Sequence, residues 1–333
     1  MPLRYLRYFL TVAETMNFRK AARELFITQQ SLSSQIQNLE RHYGVQLFER
    51  KPRLRLTPAG ENMKEFAQRV LHAEQTLIAN LADVTRTSTG QLRVGVTGTR
   101  GAVFLPLIWD IYRSSYPNII VTTTESSTSQ LDELLIDGKI DLYIGVNVPR
   151  HQSTQVVSLN EDKVYCVFSR QFLNCCPVEH REILLKDPHE FDLSLLSNLP
   201  LITFTRGNGL RFVLQGFFEQ MDLHPNIIFE TNRHDLVLEL CRHGHGVGLV
   251  YDMILFNPLR QPQTAQELFI VPVKAGQLPT KTTELVYRTE SVRPRFHNGF
   301  IEATRSAFAT YAGQIGRILQ NAGDLSAYKK EHE

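Results

Sequence analysis

The chain has 333 residues, of which 42% are hydrophobic and 21% charged, a composition that excludes a disordered protein and is long enough for two domains or more. Its net charge of +2 conceals a division, because residues 1–60 hold ten Lys and Arg against four Glu, which gives +6 there and −4 over the rest. A basic head on a slightly acidic body indicates that the head, and not the body, meets a polyanion.

Apolar residues at helical spacing predict three short helices in the first 60 residues. The first carries Leu3, Leu6, Phe9, Leu10 and Ala13, the second Ala21, Ala22, Leu25 and Phe26, and the third Leu32, Ile36 and Leu39. Thr28 is the expected N-cap of the third helix, and Gly44 is its expected end. The basic stretch between Leu47 and Leu56 is short enough to form a hairpin wing.

From Pro58 the pattern predicts one long helix that continues to about Ser88. Apolar residues lie near the three-four alternation of a coiled-coil seam; they are Met63, Phe66, Val70, Ala73, Leu77 and Val84, with Leu81 beside them. The alternative is a single amphipathic helix that packs on its own body. Charges over the rest of the helix surface favour a partner chain.

After Gly90 the chain alternates between strands and helices. Strands are predicted over 92–96, 119–124, 141–146, 164–168, 201–204, 227–230 and 247–250, and helices over 105–112, 131–135, 212–219 and 236–242. This alternation predicts parallel sheets with crossover helices. Roughly 220 residues of it suffice for two α/β lobes with a cleft between them. The polar residues after Gly313 give no pattern that predicts a structure.

Residues 18–40 have the pattern of a helix-turn-helix, because small alanines on one helix allow the next helix to cross it closely. The polar residues expected to face the bases in a DNA groove are Gln29, Gln30, Ser33, Ser34 and Gln37. Arg50, Lys51, Arg53 and Arg55 on the wing suit phosphates or a minor groove. Double-stranded DNA is therefore the expected partner.

Several motifs of the first 60 residues occur together. They are Leu6-x-x-Phe9-x-x-Val12, Phe18-x-x-Ala21-Ala22, Ser33, Leu39-Glu40, Leu47-Phe48-x-Arg50 and Leu56-Thr57-Pro58-Ala59-Gly60. With them the chain resembles the LysR-type transcriptional regulators. It departs from that pattern in having Met16-Asn17 where glycine-serine is usual, Gln30 where proline is common, and a wing about one residue short.

The resemblance implies an α/β protein with an N-terminal winged helix-turn-helix over residues 1–58 and a linker and dimerisation helix over 59–89. An effector-binding domain would follow over 90–312, built of two Rossmann-like lobes resembling periplasmic binding proteins. Lobe I would span about 90–162 and 268–312, and lobe II about 163–267. Residues 313–333 would form a tail of unknown role. A homodimer or homotetramer is also implied.

In this family the effector lies between the lobes, which implies a set of cleft residues. On lobe I they are Thr97, Thr99, Arg100, Ser126, Ser127 and Asn147, and on lobe II Thr203 and Thr205. Hydroxyl groups and free backbone N–H groups at a helix N-terminus suit an anion, so we expect a small anionic or amino-acid-like effector. The alternative for Thr97 and Thr99 is that both simply cap the helix that follows.

The sequence signals for a nucleotide, metal or catalytic site are weaker. Gly244-His245-Gly246-Val247-Gly248 comes between a helix and a strand, the reverse of the order that nucleotide binding requires. His243 and His245 have no spaced partners for a metal. No catalytic motif occurs, so we expect no enzyme activity, no cofactor and no metal. The bound small molecule that we do expect is the effector.

The four cysteines are Cys166, Cys175, Cys176 and Cys241, too few for a disulfide framework. Charges near the N-terminus interrupt any signal peptide, and no apolar run approaches the ~20 residues of a membrane span. A cytoplasmic protein with no membrane association is expected. A redox-sensing regulator that uses its cysteines, or a solute-binding module without DNA function, remain the alternatives.

Overall fold

A computed structural model describes residues 2–50, 53–84, 90–289 and 293–332. Along the chain these residues form a small helical head, one long helix and a larger body with two β-sheets. The predicted fold class, a winged helix-turn-helix followed by a two-lobed α/β domain, is confirmed. Within the described residues no helix is long and apolar enough to cross a membrane.

The head consists of α1 (Leu3–Thr15), α2 (Phe18–Glu24), α3 (Gln29–Tyr43) and a wing of two antiparallel strands, β1 (Phe48–Glu49) and β2 (Arg55–Leu56). Its buried core contains most of the residues predicted from helical spacing: Leu6, Phe9, Ala13, Ala21, Ala22, Leu32, Ile36 and Leu39. Phe26 is different, because α2 ends at Glu24 and the Phe26 side chain is 95% exposed in the turn before α3.

The helix ends of the head explain one departure from the family pattern. The side chain of Asn17 accepts hydrogen bonds from the backbone N–H groups of Arg19 and Lys20, so asparagine caps α2 as serine would. Met16 before it has a φ of 45°, the left-handed conformation that glycine adopts with least strain. The predicted cap of α3 is confirmed, because Thr28 Oγ1 accepts from the N–H of Ser31 at 3.1 Å.

The long helix α4 (Pro58–Val84) begins at a close approach between the helix and the wing. Thr57 Oγ1 accepts from the N–H of Gly60 at 2.9 Å and donates to the carbonyl of Gln46 at 2.7 Å. A Cβ atom on Gly60 would lie 2.1 Å from the carbonyl oxygen of Leu47, so this position requires glycine. The Leu-Thr-Pro-Ala-Gly motif therefore fixes the start of α4 against the head.

The apolar residues of α4 differ in burial along the length of the helix. Met63 and Ala67 are buried in the core of the head, so Met63 serves the protein's own packing and not a seam with another chain. Phe66, which lies between them, is 41% exposed, and farther along α4 the side chains of Leu77, Ile78 and Leu81 are more than half exposed. The predicted continuation to about residue 88 lies outside the described residues.

The strands of the body form one sheet in each lobe. In chain order they are β3 (Gly90–Val96), β4 (Ile119–Glu125), β5 (Leu142–Val146), β6 (Thr154–Asp162), β7 (Val164–Ser169), β8 (Pro200–Phe204), β9 (Asn226–Thr231), β10 (Val247–Tyr251), β11 (Leu268–Pro272) and β12 (Lys281–Arg288). The sheet of lobe I has the order β4-β3-β5-β12-β6, and that of lobe II the order β11-β7-β10-β8-β9.

Crossover helices connect the parallel strands, as the alternation predicts. The prediction of wholly parallel sheets is wrong, because β7 pairs antiparallel with β10 and β11, and β12 pairs antiparallel with β5 and β6. The helices of the body are α5 (Gly98–Ser115), α6 (Thr128–Ile136), α7 (Arg170–Cys175), α8 (Val178–Leu185), α9 (Gly209–Gln220), α10 (His234–Arg242), α11 (Asp252–Leu255), α12 (Pro262–Glu267), α13 (Arg295–Leu319) and α14 (Leu325–His332). β3 pairs in parallel with β4 and β5, and β8 with β9 and β10. Such pairs need a helix or similar crossover between them.

The predicted boundary between the lobes at residue 267 is wrong by one strand. β11 pairs antiparallel with β7 in the sheet of lobe II, from Leu268 opposite Ser169 to Pro272 opposite Tyr165. The chain returns to lobe I with β12, which pairs with β5 and β6. Alternating strands and helices do not reveal which sheet a strand joins, because that depends on pairing with strands far away in sequence.

The long helix α13 belongs to lobe I. Its Phe308 ring stacks on Phe104 of α5 with 4.0 Å between the ring centroids, and Phe300 packs edge-on against Tyr112 of the same helix. The helix continues past residue 312 to Leu319, so the segment expected to be a tail begins inside an ordered helix.

Beyond α13 the chain passes onto lobe II; we call residues 320–332 the C-terminal strap. The N–H of Gly323 donates to the carbonyl of Leu268 at 2.8 Å, and α14 follows with Leu325 and Tyr328 buried. The Tyr328 hydroxyl donates to Asn174 Oδ1 at 2.6 Å. The strap therefore joins the two lobes at a place separate from the crossing strands.

Candidate functional site

The exposed face of α3 carries the residues predicted to contact DNA bases. Gln29, Gln30, Ser34 and Gln37 are exposed, and Ser33 is half-buried. The opposite face of α3 is buried in the core of the head. This arrangement leaves a row of hydrogen-bonding side chains on one side of a rigidly packed helix, which is the geometry that major-groove contact requires.

The wing presents positive charge next to this face. Arg50 is exposed, with its guanidinium 5.4 Å from the ring centroid of Phe18 and 3.9 Å from the Glu40 carboxylate. Arg53 is exposed, whereas Lys51 lies outside the described residues. Arg55 forms an ion pair with Glu49 across the two strands, so part of its charge is neutralised.

One carboxylate holds the wing against α3. Glu40 Oε1 accepts hydrogen bonds from the backbone N–H groups of Leu47 at 2.9 Å and Phe48 at 3.3 Å. Bonds to an ionised acceptor are stronger than those between neutral groups. The Leu39-Glu40 motif therefore has a physical role, because it fixes the wing relative to the helix that would lie in the groove.

The cleft between the lobes contains a cavity of about 490 Å³. Both lobes line it, lobe I with the first turns of α5 and lobe II with the start of α10 and the segment after α11. The lining residues are Gly98, Thr99, Ala102, Val103, Asn232, Arg233, His234, Asp235, Leu238, Glu239, Ile254, Asn257 and Pro258. Of the predicted cleft residues, Thr99 lines this cavity directly.

Thr97 precedes α5 without capping it by its side chain. Its Oγ1 is buried and has no hydrogen-bond partner among the described residues. A buried hydroxyl without a partner costs about 1–3 kcal/mol, so such groups are rare unless something satisfies them in another state. The alternative that Thr97 merely caps the helix through its hydroxyl is not what the structure shows.

Arg100, predicted to bind the effector, is instead engaged within the protein. Its side chain is buried, forms an ion pair with Asp162 and donates from Nε to Thr283 Oγ1 at 2.8 Å. Thr283 Oγ1 in turn donates to Asp162 Oδ1 at 2.8 Å. Asp162 ends the strand that crosses to lobe II, so Arg100 holds the junction of the lobes.

The remaining predicted residues of lobe I have hydrogen-bond partners within the protein. Ser127 is exposed and caps α6 by accepting from the N–H of Gln130, whose side chain also accepts a hydrogen bond from Ser126. Asn147 is exposed with a φ of 46°, and its Oδ1 accepts from the N–H of Thr282 at 3.0 Å. These three residues do not line the cavity on the α10 side.

On lobe II the two predicted threonines differ in position. Thr203 is 2% exposed within β8, where it pairs in register with Glu230 of β9. Thr205 lies in the loop after β8 and donates from Oγ1 to Asn232 Oδ1 at 2.9 Å. Because Asn232 lines the cavity, Thr205 contributes to the site by orienting that side chain.

Two further ionisable residues near the junction of the lobes, Lys281 and His234, were not predicted from the sequence. Lys281 of lobe I donates from Nζ to the carbonyl of Gly209 in lobe II at 2.9 Å, and no carboxylate in the described ranges forms an ion pair with it. Burial, followed by the nearby charge of Arg100, lowers the pKa of Lys281. The same two causes lower the pKa of His234 to about 4. Neither residue belongs to a recognisable motif.

Arg211 in the first turn of α9 is a third residue without a sequence signal. It is 6% exposed, and its Nη2 lies 3.6 Å from the carboxylate of Glu230. Its Nε and Nη1 are buried with no hydrogen-bond partner in the described part of the chain. Lobe II therefore holds a buried cation that its own residues satisfy incompletely.

The cysteines are free and mostly buried. Burial raises the pKa of the Cys166, Cys176 and Cys241 thiols, and Cys175 is exposed. A raised pKa keeps a thiol protonated and therefore less reactive. The described residues contain no group of side chains suited to holding a metal ion.

Family models match both parts of this architecture. The model for the bacterial regulatory helix-turn-helix protein of the lysR family matches residues 3–61, and the model for the LysR substrate binding domain matches residues 85–309. The chain belongs to the LysR family. It is a LysR-type DNA-binding transcriptional regulator with an effector-binding domain.

Individual LysR-family relatives align over nearly the whole chain. The HTH-type transcriptional regulator BenM of Acinetobacter baylyi is 30% identical over 316 residues, which cover 91% of this chain and 99% of the relative. The HTH-type transcriptional regulator AlsR of Bacillus subtilis is 31% identical over 301 residues, which cover 88% and 92%. The relatives are thus regulators of the same overall length and layout.

A solved LysR-family structure supports the fold. Full-length CbnR in complex with its target DNA has a TM-score of 0.56 at 24% identity, covering 92% of this chain and 100% of that chain. The match to the LysR substrate binding domain ends at residue 309, within α13. The C-terminal strap therefore lies beyond the matched range of the family domain.

Proposed function

We propose that this LysR-family regulator responds to a small anion bound in the interlobe cleft, and that α3 and the wing contact double-stranded DNA. The observation that carries the effector proposal is the buried, unpartnered hydroxyl of Thr97 at the start of α5. Backbone N–H groups and the positive end of the helix dipole lie at the same place. An anion would satisfy a hydroxyl donor there.

The charges around the cleft support the same conclusion. The positive charge of Arg100 is compensated by Asp162, but the Lys281 ammonium donates to a backbone carbonyl and has no ion-pair partner among the residues described. A half-buried cation without an ion-pair partner is unfavourable unless an anion joins it. A carboxylic acid, an amino acid or an inorganic oxyanion would supply that charge.

The DNA-binding role rests on the head. Its first 60 residues carry a charge of +6, its recognition helix exposes Gln29, Gln30, Ser34 and Gln37, and its wing exposes Arg50 and Arg53. Phosphate contacts would come from the arginines and base contacts from the amide and hydroxyl side chains. The exposed apolar residues of α4 favour a homodimer, because water-exposed Leu77, Ile78 and Leu81 would be buried against a second copy.

Regulation would follow from movement of the lobes. An effector that binds both walls of the cleft better in one arrangement of the lobes shifts the population toward that arrangement. In a dimer or tetramer this would change how neighbouring bodies pack, and so the spacing of the heads on DNA.

The alternatives have less support. Redox sensing requires a reactive thiolate, whereas burial raises the pKa of Cys166, Cys176 and Cys241. A solute-binding module without DNA function would leave the basic helix-turn-helix without a purpose.

A thermal-shift screen of the full-length protein tests the effector proposal. The ligands are amino acids, dicarboxylates, aromatic acids, sulfate and phosphate, and an anion at about 100 times its dissociation constant should stabilise the protein by about 2.7 kcal/mol. Thr97→Val should abolish the shift, whereas Thr310→Val, on the exposed surface of α13, should not. A screen with no stabilising anion, or a shift that survives Thr97→Val, would contradict the proposal.

A further inference from the structure

The cavity that Thr99 lines has a predominantly apolar wall. Ala102 and Val103 contribute from α5, Leu238 from α10, and Ile254 and Pro258 from the segment around α11. Apolar surface of this kind gains free energy when it contacts an apolar ligand and loses it when it contacts a charged one. The cavity is large enough, at about 490 Å³, to hold the body of a small organic molecule and not merely an ion.

Arg233, Asp235 and Glu239, the charged residues of the wall, each form an ion pair within the protein. Arg233 donates from Nε to Asp235 at 3.1 Å, and Glu239 forms an ion pair with Arg242 at 2.8 Å. A second charged group on a ligand would therefore have to compete with an existing ion pair. The wall as a whole suits a ligand with one acidic group and not two.

His234 offers a hydrogen-bond donor whose direction can be assigned. Asn208 Oδ1 accepts from the backbone N–H groups of Leu210 and Arg211, so its Nδ2 is the atom that faces His234 Nε2 at 3.4 Å. An amide NH₂ only donates, which makes Nε2 the acceptor and places the proton of a neutral ring on Nδ1. His234 Nδ1 is buried and has no partner in the described residues.

The surroundings of His234 favour an anionic acceptor. Burial and then the charge of Arg100 lower the pKa of His234 to about 4, so the ring is neutral near pH 7 and donates through Nδ1 without adding a charge. His234 is also the first residue of α10, and α5 begins on the opposite side of the same cavity. The positive ends of two helices therefore act on this cavity.

From these features we infer that the cavity selects monocarboxylic acids with an apolar body, and that His234 is the residue that recognises the acid group. The inference rests on the proposed function, since it specifies the class of anion that the cleft binds. In this arrangement the carboxylate accepts a hydrogen bond from His234 Nδ1. The apolar body contacts Val103, Leu238 and Ile254.

The experiment measures the affinity of the full-length protein, by calorimetry, for three classes of probe. Phenylacetate, 3-phenylpropanoate and 4-methylpentanoate are the apolar monocarboxylic acids, succinate and sulfate are the anions without an apolar body, and phenylacetamide is the uncharged analogue. At least one of the three acids should bind at least about tenfold more tightly than every other probe, because a change of about 1.4 kcal/mol corresponds to that factor.

Two variants separate the roles of the residues. His234→Phe keeps a ring against Phe204, whose centroid lies 4.3 Å away, and removes the donor, so the acid should bind about 10- to 100-fold more weakly while phenylacetamide changes little. Val103→Thr keeps the volume of the side chain and places a hydroxyl in the wall, which should weaken the acid at least about fivefold. His224→Ala, at an exposed histidine, is the control and should leave all affinities unchanged.

The outcomes distinguish this inference from the proposed function. Tight binding of succinate or sulfate with no preference for the apolar acids would overturn the inference and leave an anion-responsive regulator in place. Failure of every apolar acid to bind would also overturn it, and failure of every anion would overturn the proposed function as well. If His234→Phe misfolds, as judged by circular dichroism, two measurements still test the inference. They are the preference of the unsubstituted protein among the probes and the affinity of Val103→Thr for the acids.

Discussion

Removing the aromatic ring of Tyr328 should detach the C-terminal strap from lobe II. Tyr328 is 2% exposed, donates to Asn174, packs against Phe269 with 5.4 Å between ring centroids, and lies beneath the guanidinium of Arg170 at 5.2 Å. Tyr328→Phe removes the hydroxyl and keeps the ring. Tyr328→Ala removes both, so the pair separates the hydrogen bond from the packing.

The expected magnitudes follow from these contacts. A hydrogen bond between side chains contributes about 0.5–1.5 kcal/mol, so Tyr328→Phe should lower the free energy of unfolding by about 1 kcal/mol. Loss of a buried aromatic side chain costs about 3–5 kcal/mol, which is the expected effect of Tyr328→Ala. The decrease in the free energy of unfolding cannot exceed the contribution of strap docking, because once the strap has detached its contacts with lobe II are already absent. Deletion of residues 320–333 should therefore lower stability at least as much as Tyr328→Ala.

Urea unfolding of the full-length protein measures all three changes. Fluorescence of Trp109, the one tryptophan, reports on α5 in lobe I, and circular dichroism reports on the whole chain. Tyr43→Ala, in the head and 41% exposed, is the control and should change stability by less than about 0.5 kcal/mol. If Tyr328→Ala unfolds at the wild-type urea concentration, the strap does not stabilise lobe II and the reasoning is refuted.

Three further results are expected. Leu77→Asp should disrupt the dimer, because it places a charge among exposed apolar residues of α4; an unchanged mass in sedimentation would rule out that interface. Arg53→Ala should weaken binding to all DNA and reduce its salt dependence, whereas Gln29→Ala should reduce preference for the cognate site; a footprint with unaltered preference would contradict the assignment of α3. Burial and then the charge of Asp162 raise the pKa of Asp252 to about 7, above its unfolded value, so the folded protein holds this proton more tightly. The free energy of unfolding should therefore fall as pH rises from about 4 to about 7, and Asp252→Asn should flatten that fall in urea midpoints; an equal slope in both proteins would show that Asp252 does not titrate in this window.

The head could be predicted closely because its structure is set by local patterns. The apolar period of α3, its cap at Thr28 and its end at Gly44 all depend on residues within a few positions of one another. Local spacing also explains why Phe26 was wrongly predicted to lie on the second helix. An apolar residue that directly follows a helix has the same spacing as one that ends it.

The junction of the lobes could not be predicted, because its contacts join distant parts of the chain. Arg100 meets an aspartate 62 positions away and a threonine 183 positions away. From the sequence, an arginine after Thr99 looks available for an anion, and nothing local reveals that Asp162 occupies it. The contact between Lys281 and Gly209 is hidden in the same way.

The strap was missed because its polar composition masks a few buried residues. Leu325 and Tyr328 are the apolar anchors of α14, and charged residues surround them in sequence. Their partners, Phe269 and Asn174, lie in lobe II and are far away along the chain. Periodicity over eight residues is too short to predict that such a helix docks.

The packing of α4 into the head makes this helix a lever. Its 27 residues, at 1.5 Å per residue, span about 40 Å. Because Met63 and Ala67 are part of the head's core, the head cannot pivot on the helix and must follow its direction. A rotation of about 5° at the end nearest the body then displaces the head by about 3.5 Å, close to one base-pair step along the DNA axis. A change in lobe packing too small to see in the bodies themselves would thus be enough to move the recognition helix out of register with its bases.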